Sequence, residues 1–561
     1  FKYFEKKGTS IYKLLYYLGI DKIETGFRCY GFPIPDISKL EDPLKEAIKE
    51  VYNVKNRNYN FYSIDRIADY PRIILDYERD SKKLHKDVKK EIAEMLFQVA
   101  ESYKWWKKAF RSVNYKDMTK IFELRDLVDT QYDAMEYFPE IDDVMSKIDL
   151  NSLYYSCLRL SFAAERLAYN LKELRKRKNI NWNEQNADIN TPLGKVIVRG
   201  NKYDRIDTQK SLLIIDFGGN DKYYGNPGGN SDIEHPFGIL VDLSGNDKYN
   251  CTNNLPSMGA GILGMGILID VKGNDNYRAD FFSQGAGLIG VGILADFSGT
   301  DSYTLKYSGQ GTGYFGVGML LDYSGRDFYR IWANGQGLGG TGGVGILIDS
   351  RGDDYYYAEP NAKITGRGDY HSENKLSYSY AQGCGVGRRG DISDGHSWAG
   401  GIGALIDIKG NDKYTSSNWS LGSAYWFGIG ILYDGEGDDR YKASVFSLAS
   451  GAHYCISTLI DELGNDMYIG TGDSEMDLGF GHDYTISLFL DKRGNDKYSI
   501  SKNGFGFAIN MSQSFFLDLH GDDTYKISND REGFGIVNDI KPPFSIYSMF
   551  HAFSSQLGLF I

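Results

Sequence analysis

The chain has 561 residues, of which 42% are hydrophobic, and 63 Lys and Arg against 75 Asp and Glu give it a net charge of -12. That charge argues against a nucleic-acid partner, and no run reaches the roughly 18 to 20 apolar residues of a transmembrane helix. The five cysteines, Cys29, Cys157, Cys251, Cys384 and Cys455, are scattered, odd in number and lack a CxxC pair; they exclude a disulfide scaffold or zinc site and are expected as buried free thiols.

Composition splits the chain into two regions. Residues 1–200 hold 36 basic against 31 acidic residues and six of the 66 glycines, whereas the rest holds 27 basic against 44 acidic residues and 60 glycines. A helical region followed by one of turns and extended chain has this signature. The start, "FKYFEKKGTSIY", has neither Met nor a signal-peptide apolar stretch and is expected to belong to a processed or trimmed chain. Over 1–178 the expectation is a helical domain. "DSKKLHKDVKKEIAEMLFQVAESYKWWKKAF" (80–110) is expected as a helix capped by Asp80 or Ser81, with Trp105 and Trp106 in its core. Leu160, Ala164, Leu167, Leu171 and Leu174 step by four and three along another, and the basic run 172–178 sits where that helix should end. Residues 179–198 are expected as a linker and a degenerate first strand.

From 199 to about 540 the chain is a repeat array. The frame D-x-x-G-x-D-x-Y occurs eleven times, its first Asp being Asp216, Asp242, Asp270, Asp296, Asp322, Asp349, Asp407, Asp434, Asp461, Asp491 and Asp518. The steps are 26 to 30 residues except for one of 58. Before each Asp lies a short strand such as "GVGILAD", with Val291, Ile293 and Ala295 on one face and Gly290, Gly292 and Leu294 on the other. Strands apolar on both faces suit a parallel packed sheet, and units too short to bury a core alone stack as coils. The expected fold is α+β and multidomain: an N-terminal helical domain, then a parallel β-solenoid of about eleven 26–30-residue coils, with residues 541–561 as a cap or docking tail. The alternative is a large antiparallel meander or barrel.

In the frame, Gly and Asn are expected to supply the positive φ of a tight turn. The two Asp positions form columns, because stacking in register brings like charges to about 5 Å, where they repel by roughly 3 to 4 kcal/mol at an effective dielectric near 20. Either the carboxylates accept backbone N–H bonds as a simple corner, or a cation sits between coils. G-x-D-x-Y, as in Gly299, Asp301 and Tyr303, resembles the second half of the calcium β-roll nonapeptide of the repeats-in-toxin proteins. The resemblance implies calcium, with Asp221, Asp247, Asp275, Asp301, Asp327, Asp354, Asp412, Asp439, Asp466, Asp496 and Asp523 as ligands beside the first column. This chain departs from that family in its longer period, its missing tandem GGxG and its extra upstream Asp. The Tyr column (Tyr249, Tyr277, Tyr329) is expected as a packing ladder, with a glycan-binding row of rings as the alternative, and Gln284, Gln310, Gln336 and Gln382 as an amide ladder.

The long step carries two insertions within about 357–400. They offer Arg367, Asp369, His371 and Glu373, then Arg388, Arg389, Asp391, Asp394, His396 and Trp398, as candidate binding residues expected to be neighbours in space. No catalytic triad, P-loop or dinucleotide fingerprint is present. The expected function is that of a non-enzymatic structural or interaction protein, outside the cytoplasm at the cell surface or secreted, whose partners are other protein chains or further copies of itself. A polysaccharide-binding or polysaccharide-cleaving β-helix is the alternative.

Overall fold

The computed structural model describes residues 34–56, 77–123, 136–252, 256–391, 393–471, 476–527, 537–538 and 557–560. Cys29, the chain start and most of the 541–561 tail lie outside the described residues.

The N-terminal region is helical: α1 (Pro43–Asn56), α2 (Lys86–Ala109), α3 (Tyr115–Glu123), α4 (Pro139–Met145) and α5 (Leu150–Arg175). The apolar stripe of α5 is buried as its spacing requires, with Leu160, Ala164 and Leu171 fully enclosed. The cap of α2 differs from expectation. Asp80 precedes a short 3-10 turn (Ser81–Lys83) without a side-chain cap bond, and His85 caps the α-helix by accepting from the Asp87 N–H. Trp106 is buried and donates its indole N–H to the Leu263 carbonyl at 2.6 Å, so it joins the two domains rather than lining a pocket.

A hairpin of β1 (Ala187–Thr191) and β2 (Gly194–Arg199) starts the solenoid. Thereafter successive coils pair in parallel and in register: Val291–Asp296 lies between Met265–Asp270 and Val317–Asp322, residue for residue. Parallel pairing overturns the antiparallel meander. A coil has an aliphatic strand, six residues long in most, in a 14-stranded first sheet, the D-x-x-G-x-D turn and a Tyr-bearing strand in a 12-stranded second sheet, and short strands in three smaller sheets help to close the circuit in many of the coils. Leu240, Leu268, Leu294, Leu320 and Leu347 share the interior with the Tyr column. Glycine alternates with them because the opposite wall is close: a Cβ on Gly292 would lie 2.0 Å from the Ala286 carbonyl oxygen.

The aliphatic face therefore points outward. In the first coils it packs against the helical domain in one continuous core that takes in Leu160 and Leu167 of α5 together with Ile239, Ile267 and Ile293. The first coil is capped by substitution: Arg199 takes the register position of the first Asp, and Ile206 that of the Tyr.

Candidate carboxylate column

Stacking in register builds the site out of the repeated turn. The first Asp ends the aliphatic strand pointing inward, and from Asp216 to Asp407 its Oδ1 accepts the N–H two residues on, as Asp296 does from Ser298 at 3.1 Å, whereas in Asp434, Asp461, Asp491 and Asp518 that oxygen is buried without a hydrogen-bond partner. Its Oδ2 accepts a tyrosine hydroxyl from the preceding coil: Tyr277 donates to Asp296 at 2.7 Å, Tyr303 to Asp322 at 2.7 Å and Tyr329 to Asp349 at 2.6 Å. The tyrosine rings stack 4.8 Å apart and nearly parallel. From Tyr223 to Tyr498 they are fully buried, so they offer no row of rings to a glycan.

The second Asp is bound differently. Its Oδ1 accepts the N–H of the equivalent Asp in the preceding coil, as Asp327 does from Asp301 at 2.5 Å. Its Oδ2 is buried and has no hydrogen-bond partner in Asp221, Asp247, Asp275, Asp301, Asp327, Asp354, Asp412, Asp439, Asp466 and Asp496. Asp523, in the last repeat, is instead half-buried. The second Asp lies among other carboxylates. Oxygens of Asp296, Asp301 and Asp322 lie within 4.8 Å of one another, and the same triple recurs as Asp242, Asp247 and Asp270, as Asp270, Asp275 and Asp296, and as Asp322, Asp327 and Asp349. Each triple takes two residues from one coil and one from the next.

The frame glycine answers to this crowding and not to φ. Positive φ occurs elsewhere, at the Gln-Gly corners (Gln284 and Gly285, Gln310 and Gly311), and not at Gly245, Gly273 or Gly299. A Cβ on Gly299 would lie 2.4 Å from Asp301 Oδ2 and 2.2 Å from the Gly273 carbonyl oxygen. The frame Asn likewise makes an exposed ladder, its side-chain oxygen accepting the N–H of the next coil, as Asn246 does from Asn274. The Gln corners do not bond amide to amide. Gln310 Nε2 donates to the backbone carbonyls of Tyr303 and Arg330, tying two coils together.

Desolvation pushes the carboxyls up. Burial, then the charges of Asp301 and Asp270, raises Asp296 well above the ordinary range. Asp301 is raised to about 8 by burial and then by Asp322, and Asp327 and Asp466 each to about 10 by burial and their in-coil neighbour. Among the described residues the hydrogen-bond donors to these carboxylates are neutral N–H and O–H groups, which bring the column no matching positive charge. Two occupants satisfy the orphan oxygens: a proton shared within each pair, or a cation held by the three carboxylates. The donors are hard oxygens, the kind calcium prefers, and the orphan Oδ2 is what such an ion would engage.

The inserted loops are built otherwise. The first leaves after Tyr355–Ala358 and the second between Gly385–Val386 and Ile402–Asp407, so they spring from different corners of the coil. Arg367 is buried and donates to Asn334; Asp369, fully buried, binds His371, Asn418 and Trp419. Glu373 is exposed and paired with Lys375. In the second loop Arg388 clasps Asp394, His396 stacks on Tyr137, and Trp398 donates to Asp142 of α4 at 2.9 Å. These residues staple loops to the rod and the rod to the helical domain.

Arg389 binds Asp391 and reaches His453 Nε2 at 2.8 Å. His453 and His482 lie on adjacent coils, both against Asp483 Oδ2 at 3.0 and 3.1 Å. Sequence reading passed over this cluster; its signal is the pair "GAHY" and "GHDY" one coil apart. Although three ligand atoms converge here, a guanidinium donor on Nε2 places the His453 proton on Nδ1, facing Asp483, which makes the group a polar clasp and not a metal site. The four described cysteines, Cys157, Cys251, Cys384 and Cys455, are buried free thiols. Compared with known protein families, with curated proteins and with solved structures, the chain finds no match.

Proposed function

We propose that this protein is a non-enzymatic scaffold of the cell surface or extracellular space, in which a solenoid stapled coil to coil by calcium presents the helical domain and a protein-binding face. One observation carries the reading: a buried row of carboxylates, each with an oxygen that no donor satisfies, repeated at the spacing of the coils. A buried charge is tolerated when it is paired or coordinates a metal. A calcium between coils would be held by Asp296, Asp301 and Asp322 and their equivalents, neutralising the column and crosslinking neighbours. Extracellular modules bind calcium at about 0.1 to 1 mM, the class of site that the proposed location calls for. The absence of enzymatic chemistry in the reading rests on the inserted loops, whose acids and bases are committed to partners within the chain.

The test is calcium titration of the full chain by calorimetry, paired with thermal melts followed in the β and helical bands. Several ions per chain are expected, with chelator lowering the β transition and barely moving the helical one. A stoichiometry below one, or a β transition indifferent to chelator, assigns the column to protons and overturns the calcium reading. New reducing ends or unsaturated sugars on incubation with acidic polysaccharides overturn the non-enzymatic reading.

A further inference from the structure

The outward aliphatic face is covered over only half its length. Among the described residues Met319 and Ile346 are still buried, and the helical domain lies on the strands 237–242 and 265–270. Beyond that the same face emerges. Ile402, Ile456 and Ile486 are 42%, 39% and 43% exposed, Ile429 joins them in one column, and the outward positions of 429–434, 456–461 and 486–491 are all half-buried or exposed. None of the 15 outward positions in the strands 402–407, 429–434, 456–461, 486–491 and 513–518 is charged. Leu557 and Leu559 extend the face by a sixth strand. The charges at its rim are spent within the chain, Lys409 on Glu436 and Lys492 on Glu462.

We infer that this bare face is a self-association surface, and that two copies of the chain stack it face to face with their rods antiparallel. The inference deepens the scaffold reading by naming the partner, and it does not depend on calcium. Three arguments support it. The bare strands continue a sheet whose early strands, 237–242 and 265–270, already bury the same outward positions against α5, so the surface is one that the fold covers. Six strands at about 4.8 Å by about 20 Å of strand give roughly 570 Å² per copy, so two copies bury about 1,100 Å², just above the roughly 1,000 Å² of a specific interface. The helical domain selects the orientation. It rises from the same face over the first coils, so parallel rods would collide there, whereas antiparallel rods overlap only their bare halves and place the two helical domains at opposite ends. The contact is isologous and closes as a dimer, with Thr458 and Leu488 near the two-fold axis.

Sedimentation and small-angle scattering of the full chain in calcium test this. A dimer is expected at tens of micromolar. The 14 strands of the sheet make a rod of about 62 Å, so an antiparallel dimer is about 100 Å long and a parallel one is not lengthened. The double variant Ile456→Asp with Ile486→Asp should raise the dimer dissociation constant at least ~100-fold, because it buries unpaired charges. Should that variant fold poorly, Thr458→Arg carries the same test at a position that is already polar and half-exposed. A wild-type monomer at 100 μM overturns the inference: slow hydrogen exchange on 429–434 and 456–461 would then assign the face to the chain's own 541–556, and fast exchange would leave it for a different protein. A dimer indifferent to Thr458→Arg, or one no longer than a single rod, also overturns it. Failure of the calcium reading shows instead in the chelator melt and leaves the dimer intact.

Discussion

Replacing Asp301 by Asn should stabilise the calcium-free rod and destabilise the calcium-loaded one. The amide keeps the acceptor for the Asp275 N–H and turns the orphan Oδ2 into a donor, in a side chain that lies beside the carboxylates of Asp296 and Asp322. Without calcium, the native carboxyl sits at about 8. Each pH unit between its unfolded value near 3.9 and that figure costs about 1.4 kcal/mol, which makes roughly 5 kcal/mol an upper bound at neutral pH. Relaxation of the coils brings the expected gain nearer the about 1 to 3 kcal/mol of one unsatisfied buried group. With calcium at one hundred times its dissociation constant, loss of one site removes about 2.7 kcal/mol. Melts of wild type and variant, each with chelator and with saturating calcium at pH 7.5, give the four transition temperatures required. The variant should melt higher than wild type in chelator and lower in calcium. A shift of the same sign in both conditions refutes the cation at this position and leaves a protonated corner.

The calcium-free rod should melt at higher temperature near pH 5 than near pH 8. The second-column carboxyls from Asp221 to Asp496 have folded values raised to about 7 to 11, as in Asp275 at about 7 and Asp439 at about 11; their cost is absent below the unfolded value near 3.9 and grows as pH rises toward the folded ones. Saturating calcium should flatten or reverse that slope, which a pH series of melts measures. Tyr303→Phe removes the hydroxyl that donates to buried Asp322 and should cost about 1.5 to 3 kcal/mol in a denaturant titration, whereas the same change at the half-buried Tyr525 should cost less. Gly299→Ala should destabilise the rod by at least about 1 to 3 kcal/mol, since its methyl would meet Asp301 Oδ2 and the Gly273 carbonyl, and it should abolish one calcium in the titration. Burial and then Arg389 hold His453 below its ordinary range, with Asp483 opposing. Protonation on acidification should therefore loosen Arg389 from His453 and from the Trp426 ring it covers at 5.1 Å, read as a change in tryptophan fluorescence that His453→Gln removes.

The repeat frame by itself determined the parallel solenoid, because eleven copies of one aliphatic-Asp-Gly-Asp-Tyr unit have one way to bury their apolar residues: each on its copy in the next coil. The stripe from Leu160 to Leu174 likewise determined a helix with one buried face. Whether that frame held a corner or a cation site was not written in any one turn. The surroundings of Asp247 or Asp301 arise only when coils stack, since the N–H on Oδ1 comes from the preceding coil, 26 residues back, and the third carboxylate, Asp270 or Asp322, from the following one. For the same reason the frame glycine reads as a turn residue in sequence and proves to be room for a carboxylate. The inserted loops look functional as strings of His, Asp and Arg, but tertiary contacts with Asn334, Trp419, Tyr137 and Asp142 satisfy them. The identical aliphatic strands gave no sign that the first coils would be covered and the last ones bare. That difference depends on the reach of α5, a helix hundreds of residues away from the strands it leaves exposed, and only packing in three dimensions decides it.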